Sequence, residues 1–139
     1  MAVDPGSKRI GIAVSDPGAS IAFPRDFIEA SKTLARTAQT LARIALEEEV
    51  ATVVVGLPLS MDGSRGPEAD RASTLARALA EILRDSASVV EWDERLTSVA
   101  ANRALSDAGV REHKRRVVVD GVAACLLLQS YLDFAAARR

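Results

Sequence analysis

Hydrophobic and polar positions change period along the chain. Near the N-terminus, short apolar runs are cut by turn formers: Ala2-Val3-Asp4 ends at Pro5-Gly6-Ser7, Ile10 to Val14 ends at Asp16-Pro17-Gly18, and Ile21 to Ile28 follows. Three strands joined by two tight turns predict an antiparallel meander. From Lys32 to Glu49 the period becomes helical, with Leu34, Leu41, Ile44 and Ala45 on one stripe. Thr52-Val53-Val54-Val55 is β-branched without alternation, as in a strand buried on both faces between parallel neighbours. Gly66-Pro67 opens a second helix with proline near its first turn, and Leu75, Leu79, Ile82 and Leu83 supply its apolar stripe. Ser88 to Trp92 predicts a fifth strand, and Thr97 an N-cap for a helix ending near Gly109. The last helix is expected over about Val118 to Ala136; its opening valines also suit a strand, and length decides for helix.

A meander followed by two crossover units, each right-handed, gives an α/β fold: a mixed five-stranded sheet with helices on both faces. No repeat, low-complexity tract or linker divides residues 1–139, so a single domain is expected. Aromatic residues are 4% of the chain, which leaves the core to Ala, Val, Leu and Ile. The formal net charge of -1 provides no global basic field, so contact with nucleic acid requires a local basic patch. A lone cysteine, Cys125, rules out an internal disulfide and suits a reducing cytosol. No basic segment followed by a long apolar run opens the sequence, so no signal peptide is expected. The longest apolar stretch, Val122 to Leu128, is far short of the roughly 20 residues of a membrane span. A soluble, cytoplasmic protein without membrane contact is expected.

Three carboxylates fall where solvated surface charge is not expected. Asp4 closes the first strand just before a glycine turn; an isolated Asp-Pro-Gly also suits an Asx turn. Glu94 follows the fifth strand in Glu91-Trp92-Asp93-Glu94-Arg95-Leu96-Thr97, where a surface ion pair with Arg95 is the plainer reading. Asp120 is the single charged residue between Arg116 and Asp133, in a segment apolar on nearly every side. An ionised carboxylate there costs several kcal/mol unless it is paired or binds a metal, although an acid in a helix's first turn is also favourable. In open α/β sheets functional groups gather at the carboxyl ends of strands. Asp4 and Glu94 belong there in the expected topology, and the start of the last helix would bring Asp120 to them. Hard divalent cations such as Mg²⁺ or Mn²⁺ take such oxygen ligands, and a pair of them activates water and stabilises the leaving oxygen of a phosphodiester.

Four segments also resemble a known family. Asp4-Pro5-Gly6-Ser7-Lys8-Arg9-Ile10-Gly11-Ile12-Ala13-Val14-Ser15-Asp16 is similar to the opening signature of the YqgF/RuvX proteins, and Gly56-Leu57-Pro58-Leu59-Ser60-Met61-Asp62-Gly63 to their central loop. Asp93-Glu94-Arg95-Leu96-Thr97 resembles their third motif, and Asp120-Gly121-Val122-Ala123-Ala124 with Leu126-Leu127-Leu128-Gln129 the last. The motifs stand in the family's order and span nearly the whole chain. The resemblance implies a ribonuclease H-like fold related to the RuvC resolvase. It also implies a nuclease that matures the small-subunit (16S) rRNA precursor at its 5′ end or cuts branched DNA such as Holliday junctions. Asp4, Glu94 and Asp120 are then the catalytic metal ligands. One departure is the very short segment before Asp4, which leaves little strand to support it.

Basic residues near these acids are candidate nucleic-acid contacts. Lys8 sits in the Gly6-Ser7-Lys8 turn, whose backbone N–H groups suit a phosphate; a plain hairpin loop is the alternative. Gly56 and the loop through Gly63 to Gly66 are read as a mobile substrate-facing loop, with Arg65 as a phosphate contact. Arg95 would orient Glu94 or grip a phosphate. Arg111, Lys114, Arg115 and Arg116 form a charge run just before Asp120, a solvated loop by default and a backbone-binding patch if it adjoins the site. His113 lacks a metal-ligand partner at suitable spacing, Cys125 is expected in the core, and Trp92 is expected in a strand core although it could stack a base.

Two other classes compete. An Asp-x-Gly turn after a first strand also opens actin-like and sugar-kinase ATPases, but these need a second phosphate loop and a second domain, for which 139 residues leave no room. A non-catalytic RNA-binding ribosome-assembly factor would keep the fold; the three acids argue against it. Partners under the nuclease reading are an rRNA precursor or branched DNA, with ribosomal particles, and the chain acts as a monomer or a homodimer. Symmetric cutting of two strands requires the dimer.

Overall fold

A computed structural model describes residues 1–95 and 112–138, with side chains described for 1–95 and 121–138. The elements are β1 (Ala2–Pro5), β2 (Arg9–Ser15), β3 (Ala22–Glu29), α1 (Leu34–Glu47), β4 (Thr52–Leu57), α2 (Pro67–Leu83), β5 (Ser88–Asp93) and α3 (Glu112–Ala137). The strands form one five-stranded sheet in the order β3-β2-β1-β4-β5. The meander half is antiparallel, with Asp4 opposite Gly11 and Val14 opposite Phe23. β1, β4 and β5 are parallel, with Val3 beside Val55 and Leu57 beside Asp93. This is the mixed five-stranded sheet expected from the meander and crossovers, with α1 and α2 on one face and α3 on the other.

Side-chain alternation explains the unbroken apolar run in β4. Val53 and Val55 face α1 and α2, where they join Val3, Ile10, Ile12, Leu41, Leu75 and Leu79 in one core cluster. Val54 faces the other way and packs with Ala2, Ala13, Ala124, Leu127 and Leu128 beneath α3. A strand buried on both faces has no polar side to alternate with. α3 packs on the sheet with Gly121 facing Pro24, where a Cβ would sit 3.6 Å from the Pro24 Cβ, an ordinary packing contact.

Local chemistry sets the element ends. Thr33 caps α1 by accepting the Arg36 N–H at 3.2 Å, so the helix starts at Leu34 and not at Lys32. Gly66 precedes α2 and Pro67 opens it, as the sequence predicts. β4 continues through Gly56 and Leu57, so these two residues belong to the strand and not to the loop. The largest difference is in α3, which begins at Glu112 and not near Val118. Glu, Lys and Arg are strong helix formers, and their run extends the helix backward through the valines. Lys114, Arg115 and Arg116 therefore ride on helical backbone and not on a loop. The expected helix from Thr97 to Gly109, and Arg111, lie outside the described residues.

The short β1 is well supported. It is flanked by β2 and β4, and Ala2 and Val3 are completely buried. Among the described residues no helix is long and apolar enough to cross a membrane.

Candidate active site

The parallel strands β1, β4 and β5 end along one edge of the sheet, and alternation determines what they carry there. Ala2, Val54, Val90 and Trp92 all belong to the cluster under α3. Asp4, Gly56 and Glu94 continue these three rows on the same face. The Glu94 N–H donates to the Leu57 carbonyl at 3.3 Å and so prolongs the β4–β5 ladder by one residue. A Cβ on Gly56 would run into the Glu94 carboxylate and lie 3.1 Å from the Leu127 side chain. Glycine leaves open the space across which Glu94 reaches Asp4.

The two carboxyl groups are hydrogen-bonded to each other. Burial pushes Glu94 up to about 9, the negative charge of Asp4 adds to the rise, and Glu68 and Asp93 contribute further. Burial also raises Asp4, against the hydrogen bond that it receives from Glu94. At neutral pH the pair therefore keeps one proton on Glu94, whose hydroxyl donates to the Asp4 carboxylate. Two oxygen-bearing groups that hold a proton between them present a site where positive charge is favourable.

Asp120 lies on the backbone of α3, and its side chain is outside the described residues. The direction of the helix is nevertheless informative. Gly121 approaches Pro24, the Cys125 thiol donates to the Ala22 carbonyl at 3.2 Å, and Gln129 donates to the Ser20 carbonyl at 2.9 Å. Toward its N-terminus α3 thus moves along β3 in the direction of Glu29, the end of the sheet that holds Asp4. Among the described residues no third Asp, Glu, His or Cys completes a three-ligand group with Asp4 and Glu94.

The basic candidates divide. Lys8 is exposed in the β1–β2 turn, where Gly6 is required because a Cβ would strike the Arg9 carbonyl. Arg65 turns onto α2: it donates to the Ser73 hydroxyl at 2.5 Å and to the Ala69 carbonyl at 3.5 Å, and pairs with Asp70 at 3.6 Å. Arg95 binds Asp93, at 2.6 Å through Nη2 and 2.9 Å through Nε, and these bonds go to Asp93 and not to Glu94. The side chains of Lys114, Arg115 and Arg116 lie outside the described residues. The loop after β4 is folded on itself, with Gly63 N–H to the Ser60 carbonyl at 2.8 Å and Ser64 N–H to Asp62 at 2.9 Å. Trp92 packs edge-on against Tyr131 and donates to Ser130 at 3.2 Å, which uses it as a packing residue. Glu68 was not singled out from the sequence; the pointer to it was its place directly after Pro67, in the first turn of a helix aimed at the strand ends.

The profile of the family described as "RuvX: Holliday junction resolvase" matches residues 1–134. The chain belongs to this family. Among curated RuvX-like relatives, a protein of Acidiphilium cryptum named "Putative pre-16S rRNA nuclease" is 47% identical over 131 residues, covering 94% of this chain and 81% of its own. A protein of the same name from Ruminiclostridium cellulolyticum is 33% identical, covering 96% and 92%. Among solved structures, Thermus thermophilus RuvC in complex with a Holliday junction substrate superimposes with a TM-score of 0.61 at 14% identity, over 96% of this chain and 93% of that one. The fowlpox virus Holliday junction resolvase gives 0.54 at 15% identity, over 95% and 96%. These structural likenesses establish the fold, and the family is one of nucleases.

Proposed function

We propose that this RuvX-family chain is a divalent-metal-dependent nuclease that hydrolyses phosphodiester bonds, with Asp4, Glu94 and Asp120 as its metal-holding residues. The observation that carries this reading is the meeting of Asp4 and Glu94 at the ends of parallel strands, where their carboxyl groups are hydrogen-bonded to each other. The donor set suits Mg²⁺ or Mn²⁺: hard carboxylate oxygens whose mutual repulsion a cation relieves better than a proton does. Bound there, such ions supply an activated water and charge stabilisation for a leaving oxygen. The chain's own residues set the geometry. The β4–β5 ladder and the gap at Gly56 aim Glu94 at Asp4, and Asp93 holds the Arg95 guanidinium near Gly63 in the loop after β4, as a cation for an incoming phosphate. Lys8, Arg65 and the helical run Lys114, Arg115 and Arg116 extend this basic surface along the substrate backbone.

The relatives' names favour the 16S rRNA precursor as substrate, with its 5′ end the target that the family resemblance implies, and the RuvC likeness favours branched DNA, for which a homodimer would be needed. Work on ribosomal precursor particles in the cytoplasm accords with the single free thiol. The deciding experiment offers a labelled 16S precursor and a four-way junction to the purified protein with Mg²⁺, Mn²⁺ or EDTA. Cleavage of either, lost in EDTA and in Asp4→Asn, is the expected result. Tight binding without cleavage under any metal would replace this reading with that of an assembly factor.

A further inference from the structure

Around the sheet edge from the acids, on the face covered by α1 and α2, lies a pocket of about 370 Å³ that the nuclease reading does not use. Its floor is apolar, from Ile10, Leu34 and Leu75. Its rim carries two exposed cations, Lys32 and Arg71, with the hydroxyls of Ser7 and Ser31. Neither cation forms an ion pair among the described residues. The wall is held in place before any ligand arrives. Ala30 N–H donates to the Lys8 carbonyl at 2.8 Å, Ser31 N–H to the buried Thr37 hydroxyl at 3.0 Å, and that hydroxyl to the Thr33 carbonyl at 3.3 Å. Glu68 marks the boundary: it lines the pocket, and its charge acts on Glu94. Pro5 and Gly6, which follow Asp4 in the chain, form the opposite lip.

We propose that this pocket binds one unpaired nucleotide of the substrate strand next to the bond being cut, gripping its phosphate with Lys32 and Arg71. This rests on the nuclease reading for its substrate. The volume lies in the range of small-ligand sites, about 300–1,000 Å³. A duplex presents its phosphates on a convex ridge with the bases turned inward, whereas a single strand places sugar and phosphate together in a concavity. The apolar floor takes the sugar and the edge of the base, and Glu68 accepts from a sugar hydroxyl. The lining has no aromatic ring, so the pocket tolerates any base.

The test measures binding of a short fluorescent single-stranded RNA, and of a blunt duplex, to the full chain in EDTA across a salt series. The proteins are wild type, Lys32→Glu/Arg71→Glu and Lys32→Arg/Arg71→Lys, each checked for an unchanged melting curve. Charge reversal should weaken single-strand binding about tenfold or more and lower the salt slope by about 0.7, the value for one lost phosphate contact on a single strand. The charge-conserving pair should restore most of the affinity, and duplex binding should be unmoved. Wild-type affinity and slope in the reversed variant would overturn the pocket, as would an equal loss on duplex or no single-strand binding by wild type. Kinetics separate the two readings. A wild-type protein that cleaves, with a KM that charge reversal does not change, sinks the pocket alone. An inert wild type with pocket-dependent binding sinks the nuclease alone.

Discussion

The chain contains the tripeptide Asp-Pro-Gly twice, and the two copies have opposite fates. Asp16, after β2, is partly exposed and accepts the backbone N–H groups of Ser20 at 2.7 Å and Ile21 at 2.9 Å. Those bonds hold its carboxyl below the ordinary range. Asp4, at the end of β1, is mostly withdrawn from water and faces Glu94, and its carboxyl is raised. The difference comes from strand neighbours and not from the tripeptide. β2 lies in the antiparallel half, where a tight return to β3 provides N–H donors close to the turn. β1 lies between β2 and the parallel strand β4, whose far neighbour β5 delivers a second acid to the same end. One aspartate closes a turn; the other is left charged, crowded and available for chemistry.

The largest contrast between them should appear in catalysis. Asp4→Asn keeps shape and hydrogen-bonding capacity but removes the charge a cation needs, so cleavage should fall at least about a hundredfold while binding of uncut substrate survives. Glu94→Gln should behave alike. Near wild-type cleavage by purified Asp4→Asn, measured in single turnover, would break the assignment.

Next in size is the effect of the gap between the strands. Gly56→Ala places a methyl group where the Glu94 carboxylate lies and against Leu127, so Glu94 must swing away from Asp4. Cleavage should drop by about tenfold or more. The fold should persist, because the displaced group is the far end of a flexible side chain. Unchanged cleavage together with an unchanged Glu94 titration would show that the gap does not aim the acid.

A smaller effect concerns stability and pH. Glu94 titrates near 9 in the folded chain and near 4.5 as an isolated carboxyl. A raised carboxyl binds its proton more tightly when folded, so its contribution is complete below about 4.5 and is lost as pH rises toward 9. In metal-free buffer the melting temperature should therefore decline across that window, and Glu94→Gln should flatten the decline. At pH 8 the variant should melt higher than wild type by roughly 2–6 °C, the equivalent of about 1–2 kcal/mol after allowance for partial exposure. A wild-type curve flat from pH 5 to 9 would show that the pair is not coupled as described.

Much of this was legible from residue order. The change from two tight turns to helical period gave the meander and crossovers, and the β-branched run at Val53–Val55 gave a strand buried on both faces. The convergence of Asp4 and Glu94 followed from placing both at strand ends. Other features depended on contacts that spacing does not encode. Nothing local distinguishes Asp4 from Asp16 except what pairs with the strand before it. Arg95 chose Asp93 over Glu94 because Glu94 turns inward on alternation while Asp93 stays at the surface beside it. Arg65 lies over α2 because Ser73, Ala69 and Asp70 present acceptors along one side of that helix. Glu68, Lys32 and Arg71 meet only once α1 and α2 pack side by side, which no single segment reveals. The start of α3 differs because the charge run before the valines reads as a solvated loop, whereas its Glu, Lys and Arg are strong helix formers that carry the helix back to Glu112.

The smallest expected effect is at Asp16, and it is the control that gives the comparison its meaning. Asp16→Ala removes the acceptor of two backbone N–H groups, but both are exposed and water replaces the lost bonds. Stability should therefore change only slightly. Its carboxyl is held low in the folded chain, so whatever it contributes is present above the ordinary aspartate range and is lost as pH falls through that range. The small difference between variant and wild type should accordingly vanish in acid, opposite to the behaviour at Glu94. Cleavage and metal dependence should match wild type, because the turn lies after β2, beyond the opposite end of β1 from Asp4. Melting curves at neutral and acidic pH, with cleavage assays beside them, measure all three. If Asp16→Ala abolished cleavage as Asp4→Asn does, both aspartates would serve one site, and the division between a structural and a chemical copy of the tripeptide would fail.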